Sequence, residues 1–528
     1  MHRRHALTGL SALAAAATMT PVSAKPRLPS VLTTNGPVTG RTLSGTDVFL
    51  GLRYATAKRF QPPVKPEPWT KPFNATAYGP ASPQSDSPDP YGQSEDCLFL
   101  NIWTPKADTT KRRPVMFYIH GGAYNTGSGG SPLYDGSNLA QRGDVVVVTV
   151  NHRLNAFGYL YLARLERQLG QTDTLKHSGN CGQLDLHLAL QWVRDNIAQF
   201  GGDPGCVMVF GQSGGGAKIA TMLATPSAAG LFHRAATMSG QQVTASGPGN
   251  ANTRALTLLT ALNLKPDAAG LTTLQALPVA DLVAALRTKD PVIGSGSLYF
   301  GPVLDETTLF RHPFWPDAPD QSRAIPMIIG NTHDETRGFL GGDPHNFELT
   351  WQELPAKLPP QYRVDIDPWL VIDTYRRLYP SMTPSDVFFA ATTAGRSWRG
   401  AVEELEARAR SGATTYAYQL DWQTPKNDGK LGAPHTLDIP LVFRTTATPD
   451  SISTDSPDAR HMADLFSDAF IAFARTGSPQ TPALPAWQPY TLPNRETLLM
   501  NLTPTLALDP RSAERRLFAK VPFTQQGT

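Results

Sequence analysis

The chain has 528 residues, of which 40% are hydrophobic and 17% are charged, a composition typical of a globular protein large enough for a deep enzyme core. The formal net charge is only +3, and no basic block or aromatic-interleaved basic stripe is present, which argues against a nucleic-acid partner. The 44 glycines and 47 prolines are scattered without a period, so long connecting loops are expected and no internal repeat is visible.

The first 24 residues have the pattern of an export signal. Residues 2–5 are positively charged, residues 6–19 are short and apolar, and Val22-Ser23-Ala24 offers small residues at the cleavage positions. We therefore expect a signal peptide over 1–24, a mature chain over 25–528 and a periplasmic or secreted location.

The export route is left open by the sequence. Arg3-Arg4 followed by Leu7 resembles a twin-arginine signal, and an ordinary secretory signal is the alternative. No later stretch reaches the ~18 consecutive apolar residues of a membrane helix, so we expect no integral membrane segment in the mature chain.

Three cysteines, Cys97, Cys181 and Cys206, are too few for a disulfide framework. We interpret all three as structural thiols, because free cysteine is commonly a small buried hydrophobe. No spacing of Cys and His is typical of a metal site, so no metal is expected.

The first half of the mature chain predicts strands that lead into a parallel sheet. Residues 31–84 carry short apolar runs broken by turn residues, which predicts antiparallel edge strands and loops. The apolar runs at residues 115–119 and 145–150 predict buried strands. A helix then begins at Gly179-Asn180, and its return to a further strand predicts one parallel crossover unit. Its apolar face consists of Leu186, Leu190, Val193 and Ile197.

The stretch around Ser213 predicts a strand, a tight turn and a helix. Four apolar residues at 207–210 precede a Gly-x-Ser-x-Gly core, and apolar residues at helical spacing follow it. Gly211 and Gly215 stand where a strained turn needs small residues. Ser213 is therefore predicted to be a nucleophile, with backbone N–H groups of the following helix near a developing oxyanion.

A serine hydroxyl is a weak nucleophile, so it needs a base and an acid that orients the base. Among the twelve histidines, His435 lies on a Gly- and Pro-containing loop after the strand at 415–418, and His120 is its main rival. A strand predicted to end at Gly330 leads to a loop with two adjacent acids, Asp334 and Glu335. Asp305 is a third candidate acid.

These motifs resemble those of type-B carboxylesterases, the group of α/β-hydrolases that includes bacterial nitrobenzyl esterases. The stretch around Ser213 resembles the first signature of that family, and Glu95-Asp96-Cys97-Leu98-x-Leu100-Asn101 resembles the second. His120-Gly121-Gly122-Ala123 follows a buried strand where this fold supplies its other oxyanion N–H groups. The resemblance covers nearly the whole mature chain.

The resemblance implies an α/β-hydrolase fold in a single catalytic domain over 25–528. We expect a large, mostly parallel central sheet flanked by helices, with antiparallel strands at its N-terminal side. Residues 247–298 and 341–412 carry little motif, and we expect helical excursions there that cap the site. The loop before Cys97 lacks the cysteine of animal relatives, so Cys97 is predicted to be unbridged.

The family's pattern also selects among the candidate residues. Its Asp-Glu-Gly places the glutamate in the triad, which selects Glu335 with Ser213 and His435, although Thr336 replaces the glycine and Asp334 is the fallback. His120 precedes the oxyanion glycines, where the family has a structural residue, and is rejected as the base. The remaining implied residues are the oxyanion donors Gly122, Ala123 and Gly214, and Ser239 beside the triad.

The implied activity is hydrolysis of small-molecule carboxylic esters through an acyl-enzyme on Ser213, without a cofactor. A lipase, or a specialised hydrolase of one natural ester, is the alternative within enzymes. A non-catalytic binding member of the fold is the alternative outside them. The natural acyl and alcohol groups and the oligomeric state are not indicated by the sequence.

Overall fold

The computed structural model describes residues 28–85, 89–170, 173–449, 451–525 and 527. The signal peptide expected over 1–24 lies outside these ranges. Within them, no single helix is long and apolar enough to cross a membrane, and one bent pair, Ala268–Ala276 with Val279–Ala285 at 110°, meets the requirement by length and composition only.

The described residues form fourteen strands in one large and one small sheet. They are β1 (Ser30–Thr33), β2 (Gly36–Thr39), β3 (Arg41–Leu43), β4 (Thr46–Arg53), β5 (Phe73–Asn74), β6 (Phe99–Thr104), β7 (Arg113–Ile119), β8 (Val146–Val150), β9 (Gly202–Gln212), β10 (Arg234–Met238), β11 (Met327–Thr332), β12 (Thr415–Leu420), β13 (Glu496–Met500) and β14 (Thr505–Leu508). The small sheet has the order β1-β2-β5, and the large sheet has the order β14-β13-β12-β11-β10-β9-β7-β8-β6-β4-β3.

Sixteen α-helices lie in the same ranges. They are α1 (Ser137–Gly143), α2 (Asn155–Tyr159), α3 (Ala163–Gln168), α4 (Cys181–Asn196), α5 (Gly214–Leu223), α6 (Pro248–Ala261), α7 (Ala268–Ala276), α8 (Val279–Ala285), α9 (Glu335–Leu340), α10 (Leu354–Lys357), α11 (Pro368–Leu378), α12 (Pro384–Thr393), α13 (Arg399–Ser411), α14 (Asp438–Phe443), α15 (Pro457–Thr476) and α16 (Ser512–Phe518). A π-helical turn, Ala394–Trp398, joins α12 to α13.

The centre of the large sheet is parallel, and its edges are antiparallel. The seven strands from β8 through β7, β9, β10, β11 and β12 to β13 each run parallel to their neighbours. β14 closes one edge antiparallel, and β6, β4 and β3 continue the other edge antiparallel. The expected mostly parallel sheet with N-terminal antiparallel strands is therefore confirmed.

One N-terminal pair differs from the expectation of antiparallel strands. β5 runs parallel to β2 in the small sheet. A long segment that contains the β3–β4 hairpin separates these two strands, so β5 can return in the same direction as β2.

Apolar side chains of β9 alternate between two cores, one on each face of the large sheet. Val207 and Val209 belong to a core that includes residues of α4 and α5. Met208 and Phe210 belong to the opposite core, which includes residues of α14 and α15. A strand that is covered on both faces is apolar at every position, which explains the unbroken run before Ser213.

The predicted crossover unit is present, with one strand between its two ends. Helix α4 carries the chain from β8 to β9, and β7 pairs in parallel with both of them. The four residues expected on the apolar face, Leu186, Leu190, Val193 and Ile197, are all buried. Ile197 lies just after α4, in a short 3-10 turn.

The predicted end of the strand at Gly330 is wrong, because β11 continues to Thr332. A Cβ atom added at Gly330 would lie 1.9 Å from the ring of Tyr418 on the neighbouring β12. Gly330 therefore makes room for an aromatic ring inside the sheet and does not end the strand.

Both segments with little motif are helical, as expected. Residues 247–298 contain α6, α7 and α8, whose leucines form a separate apolar core with Tyr124 and Tyr159. Residues 341–412 contain α10 to α13 and the π-helical turn, with a further apolar core around Phe388 and Val371. The second excursion contributes directly to the cavity described below.

Candidate active site

Ser213 occupies a strained turn between β9 and α5. Its backbone has φ +55° and ψ −125°, a conformation that L residues rarely adopt and that costs about 1–3 kcal/mol. The N–H of Ser213 donates to the carbonyl oxygen of Met238 at 2.8 Å, which ties the turn to the end of β10. The side chain therefore projects at the carboxyl edge of the parallel sheet.

The glycines around Ser213 allow backbone segments to approach each other without side chains. A Cβ atom at Gly215 would lie 1.9 Å from the carbonyl oxygen of Ile119, and one at Gly211 would lie 2.7 Å from the backbone of Gly215. A Cβ atom at Gly240 would lie 2.0 Å from the carbonyl oxygen of Ser213. The predicted need for glycine at 211 and 215 is consistent with this packing.

His435 and Glu335 meet behind the cavity surface. Nδ1 of His435 lies 2.5 Å from Oε2 of Glu335, whose side chain is fully buried. Oε1 of Glu335 accepts from the N–H of Thr332 at 3.0 Å and from Nδ2 of Asn331 at 3.2 Å. Burial opposes ionisation of this carboxyl, but the His435 imidazole and the surrounding donors hold the pKa of Glu335 below its usual range.

The contacts of His435 define its tautomer. An ionised carboxylate only accepts, so Nδ1 carries the proton and Nε2 is left as an acceptor. Nε2 lies 3.1 Å from Nε2 of Gln212, which donates to it. No hydrogen bond joins Ser213 Oγ to His435 in the described ranges, so the Gln212 amide is the partner of His435 Nε2 in this structure.

The alternative acids, Asp334 and Asp305, and the alternative base, His120, make other contacts. Asp334 Oδ2 accepts from the N–H of Ala433 at 2.9 Å and fixes the loop before His435. Asp305 accepts from Asn180 and from backbone N–H groups of its own turn. His120 is buried and stacks on His152 with ring centroids 4.7 Å apart, and burial lowers the pKa of His120 to about 3.

Thr336 does not disturb the loop that carries Glu335. Its Oγ1 lies within hydrogen-bond distance of the carbonyl oxygen of Phe389 and of the hydroxyls of Thr392 and Thr393. All three partners belong to α12, so Thr336 attaches the start of α9 to the second excursion.

Ser213 and His435 open into one cavity of about 480 Å³, within the range of small-molecule sites. Gly122, Ala123 and Gly214 line the same cavity. In the described part of the chain, the N–H groups of these three residues donate to no acceptor. The cavity therefore combines a serine, an imidazole acceptor and three unpaired backbone donors.

Gly121 and Gly122 have different structural requirements. Gly122 has φ +86°, and its added Cβ atom would lie 2.3 Å from the carbonyl oxygen of Thr126, so the turn itself requires glycine. At Gly121 the added atom would lie 3.3 Å from Cβ of Ser213. Gly121 is thus the position at which a side chain would crowd Ser213.

Ser239 lines the same cavity as Ser213 and His435. It follows β10 with φ +52°, and its N–H donates to the carbonyl oxygen of Gly330 at 2.7 Å. Its buried Oγ has no well-formed hydrogen bond to a described residue, although it is near enough to contribute to the lowered pKa of Glu335.

Sequence reasoning missed Lys218, which lies on α5 behind the oxyanion loop. Its side chain is fully buried, and Nζ donates to the carbonyl oxygen of Ala123 at 2.6 Å. The same atom lies 5.1 Å from the ring centroid of Tyr124. Lys218 thereby holds the peptide that follows the candidate oxyanion donor Ala123. A lysine within the apolar run after the glycines was the available signal.

The charged and aromatic wall of the cavity was also missed. Phe339 packs against His435 with ring centroids 4.3 Å apart, and Arg363 and Arg396 line the same cavity. The described ranges contain no group of three or more His, Cys, Asp or Glu that could hold a metal ion. All three cysteines are free, and Cys97 is unbridged as predicted.

Comparisons with known proteins find similar sequences and solved structures. The model of the Carboxylesterase family matches residues 27–518. The chain is 35% identical over 503 residues to para-nitrobenzyl esterase of Bacillus subtilis (strain 168), covering 92% of this chain and 97% of that protein. It is 32% identical over 499 residues to phenmedipham hydrolase of Pseudarthrobacter oxydans, covering 87% of this chain and 92% of that protein. A crystal structure of a Geobacillus stearothermophilus carboxylesterase matches with TM-score 0.82 and 34% identity, covering 93% of this chain and 99% of the other.

Replacing Lys218 with Met should remove a pH-dependent part of the unfolding free energy. Burial lowers the pKa of Lys218 to about 7, whereas an unfolded lysine titrates near ~10.4. Below about pH 7 both states hold the proton, and the folded state bears the full cost of the buried charge. Between about pH 7 and 10 only the unfolded state holds the proton, so this cost is relieved as the pH rises. The wild-type Tm should therefore rise relative to that of Lys218→Met over this range.

Lys111→Met is the matched control, because Lys111 is exposed and its charge is solvated in both states. Its Tm should follow the wild-type Tm at every pH. A constant Tm difference between wild type and Lys218→Met from about pH 6 to 10 would contradict the buried-charge account.

Proposed function

The chain belongs to the carboxylesterase family and is a carboxylic ester hydrolase, and we propose that its acyl-enzyme forms on Ser213, with His435 as the base and Glu335 as the acid. The observation that carries this assignment is the shared cavity. Ser213, His435 and three unpaired backbone N–H groups line it, while Glu335 holds His435 from behind.

The reaction begins when Ser213 Oγ attacks the carbonyl carbon of the ester. His435 Nε2 takes the hydroxyl proton, which requires the Gln212 amide to leave that atom. The ionised Glu335 beside Nδ1 stabilises the imidazolium that forms. The tetrahedral intermediate then collapses, and its alcohol leaves with the proton from Nε2.

Backbone N–H donors stabilise the negative charge that develops on the carbonyl oxygen. The N–H groups of Gly122 and Ala123 come from the loop after β7, and the N–H of Gly214 comes from the first turn of α5. Water then attacks the acyl-enzyme, and His435 takes a proton from it. His435 passes this proton to Ser213 Oγ as the carboxylic acid leaves. The substrates are small-molecule esters, and none of these steps uses a cofactor.

A fluorophosphonate probe should label the wild-type protein on Ser213. Tryptic mass spectrometry should place the adduct on that residue, and Ser213→Ala should lose labelling and about four orders of magnitude or more in turnover of 4-nitrophenyl acetate. Ser239→Ala is the matched control, because Ser239 lines the same cavity, and it should still be labelled on Ser213. An adduct on Ser239 in the wild-type protein would overturn the assignment.

Glu335→Gln should lower kcat by about a hundredfold or more, because the amide no longer stabilises the imidazolium beside it. Asp334→Asn is the matched control, since the adjacent carboxyl contacts Ala433 and not His435. It should stay within about tenfold of the wild-type value. The measurement is steady-state kcat for both variants. A larger loss of kcat in Asp334→Asn than in Glu335→Gln would assign the acid to Asp334.

We also propose that the protein is exported and cleaved after Ala24. The support is the charge, length and small-residue pattern of residues 1–24. When the full chain is expressed in a Gram-negative host, N-terminal sequencing of periplasmic or secreted protein should begin at Lys25. Loss of export in the Arg3→Lys, Arg4→Lys double variant would identify the twin-arginine route. Uncleaved protein confined to the cytoplasm would contradict export.

A further inference from the structure

Residues 521–525, the C-terminal segment, return to the cavity of the candidate active site. Phe523 and Gln525 both line this cavity, and both side chains are half-buried. The family model matches the chain only as far as residue 518, so that match does not account for this part of the wall. The contacts of the segment determine which part of a bound ester it can meet.

Backbone pairing holds the C-terminal segment against the second helical excursion. Phe523 and Val364 form an isolated antiparallel bridge. The N–H of Thr524 donates to the carbonyl oxygen of Arg363 at 2.7 Å. The N–H of Arg363 donates in turn to the carbonyl oxygen of Gly395 in the π-helical turn at 2.9 Å. The backbone of Phe523 is therefore fixed relative to this excursion.

Side chains attach the same stretch to two further parts of the fold. Oε1 of Gln525 accepts from the N–H of Val243, in the loop after β10, at 3.0 Å. The carbonyl oxygen of Gly527 accepts from Nη1 of Arg254 on α6 at 2.9 Å. Arg254 is itself buried and forms an ion pair with Asp290. The C-terminal segment is thus held from several sides as a fixed piece of the cavity wall.

Phe523 lies close to the backbone that supports Ser213. A Cβ atom added at Gly400, on α13, would lie 3.1 Å from Cζ of Phe523 and 3.2 Å from Cβ of Gln241. Phe523 and Gln241 are therefore neighbours in the cavity wall. Gln241 directly follows Gly240, where an added Cβ atom would lie 2.0 Å from the carbonyl oxygen of Ser213.

The cavity has apolar walls from both faces of the large sheet. Ile439 and Tyr134 line it and pack in the core on the face of α14 and α15. His435 lies just before α14, beside these residues. Phe523 also lines the cavity, but it packs against the opposite core, on the face of α4 and α5. His435 and Phe523 therefore belong to different sides of the cavity.

The reaction assigns the two halves of an ester to these two sides. The alcohol leaves with the proton from His435 Nε2, so the alcohol half lies on the side of His435. The acid half stays bonded to Ser213 Oγ in the acyl-enzyme and extends into the space on the other side. The C-terminal segment is part of the wall around that space.

We propose that the C-terminal segment closes the acid-half end of the cavity, and that Phe523 limits the length of the acyl chain that fits. This inference rests on the proposed ester hydrolysis at Ser213. A chain that reaches Phe523 meets a ring whose backbone is fixed, and packed protein yields little to an oversized group. Phe523 is thus a specificity residue, and the chemistry at the carbonyl is unchanged.

The test lengthens one half of the ester at a time. For the acid half, the pair is 4-nitrophenyl octanoate and 4-nitrophenyl acetate, which share a leaving group. For the alcohol half, the pair is 4-pentylphenyl acetate and phenyl acetate, which share an acyl group. The quantity compared between variants is the kcat/KM of the long ester divided by that of the short ester in each pair.

Phe523→Ala should raise the acid-half ratio by about tenfold or more, because the space of the ring becomes available to the acyl chain. Phe523→Trp should lower the same ratio by about threefold or more, because the larger ring shortens the pocket. Gln525→Ala removes the acceptor of the Val243 N–H and should also raise the acid-half ratio. The alcohol-half ratio should change by less than about twofold in each variant.

Phe310→Ala is the matched control, because Phe310 is exposed and does not line the cavity, and it should keep both wild-type ratios. A loss of folded protein lowers kcat/KM of both esters of a pair equally and leaves their ratio unchanged. Opposite changes in the Ala and Trp variants at position 523 therefore report on the pocket and not on folding.

The outcomes separate this inference from the proposed function. Hydrolysis of the 4-nitrophenyl esters with an unchanged acid-half ratio in both Phe523 variants would overturn the inference and leave ester hydrolysis intact. A larger change in the alcohol-half ratio than in the acid-half ratio would also overturn it, because the segment would then contact the leaving group. Failure of the wild-type protein to hydrolyse any of the four esters would count against the proposed function itself.

Discussion

Direct backbone contact at the Ser213 turn is the constraint on which the rest of the site depends. The ends of β7, β9 and β10, which are neighbours in the sheet, meet there because Gly215 and Gly240 carry no side chain. This contact keeps Ser213 at φ +55° and places Gly214, the first residue of α5, at the cavity. Ser213 and the N–H of Gly214, a proposed oxyanion donor, are therefore positioned by the same backbone packing.

Burial, nearby charges and hydrogen bonds compete at the two buried carboxyls near His435. Glu335 and Asp438 are both fully buried carboxyls, yet the pKa of Glu335 is lowered while burial and the charge of Glu335 raise that of Asp438 to about 7. Glu335 accepts three hydrogen bonds, whereas Asp438 accepts one from Tyr418 and its Oδ1 has no described partner. Below that pKa, His435 therefore has one ionised carboxylate beside it and one protonated carboxyl nearby.

Features with a local cause could be predicted from the sequence. The apolar run and the two glycines around Ser213 predict a strained turn, because backbone segments can approach each other there only where no side chain intervenes. The strand end at Gly330 could not be predicted, since the reason for that glycine is a ring on another strand. The choice between Asp334 and Glu335 needed the family resemblance, because adjacent acids have the same local pattern. Arg363 and Arg396 were missed because only long-range backbone pairing brings them together.

Thr336 has a mechanical consequence for how this molecule can change. Its hydroxyl fastens the triad loop to α12, and α12 runs without interruption into the turn that carries Arg396. Glu335, at the start of α9, and Arg396, in the cavity wall, are thus both connected to α12. Substitutions that widen or re-aim the wall by moving α12 would also displace Glu335 from the imidazole. Divergence toward new substrates is therefore easier through side chains such as Arg396 and Arg363 than through the backbone that supports them.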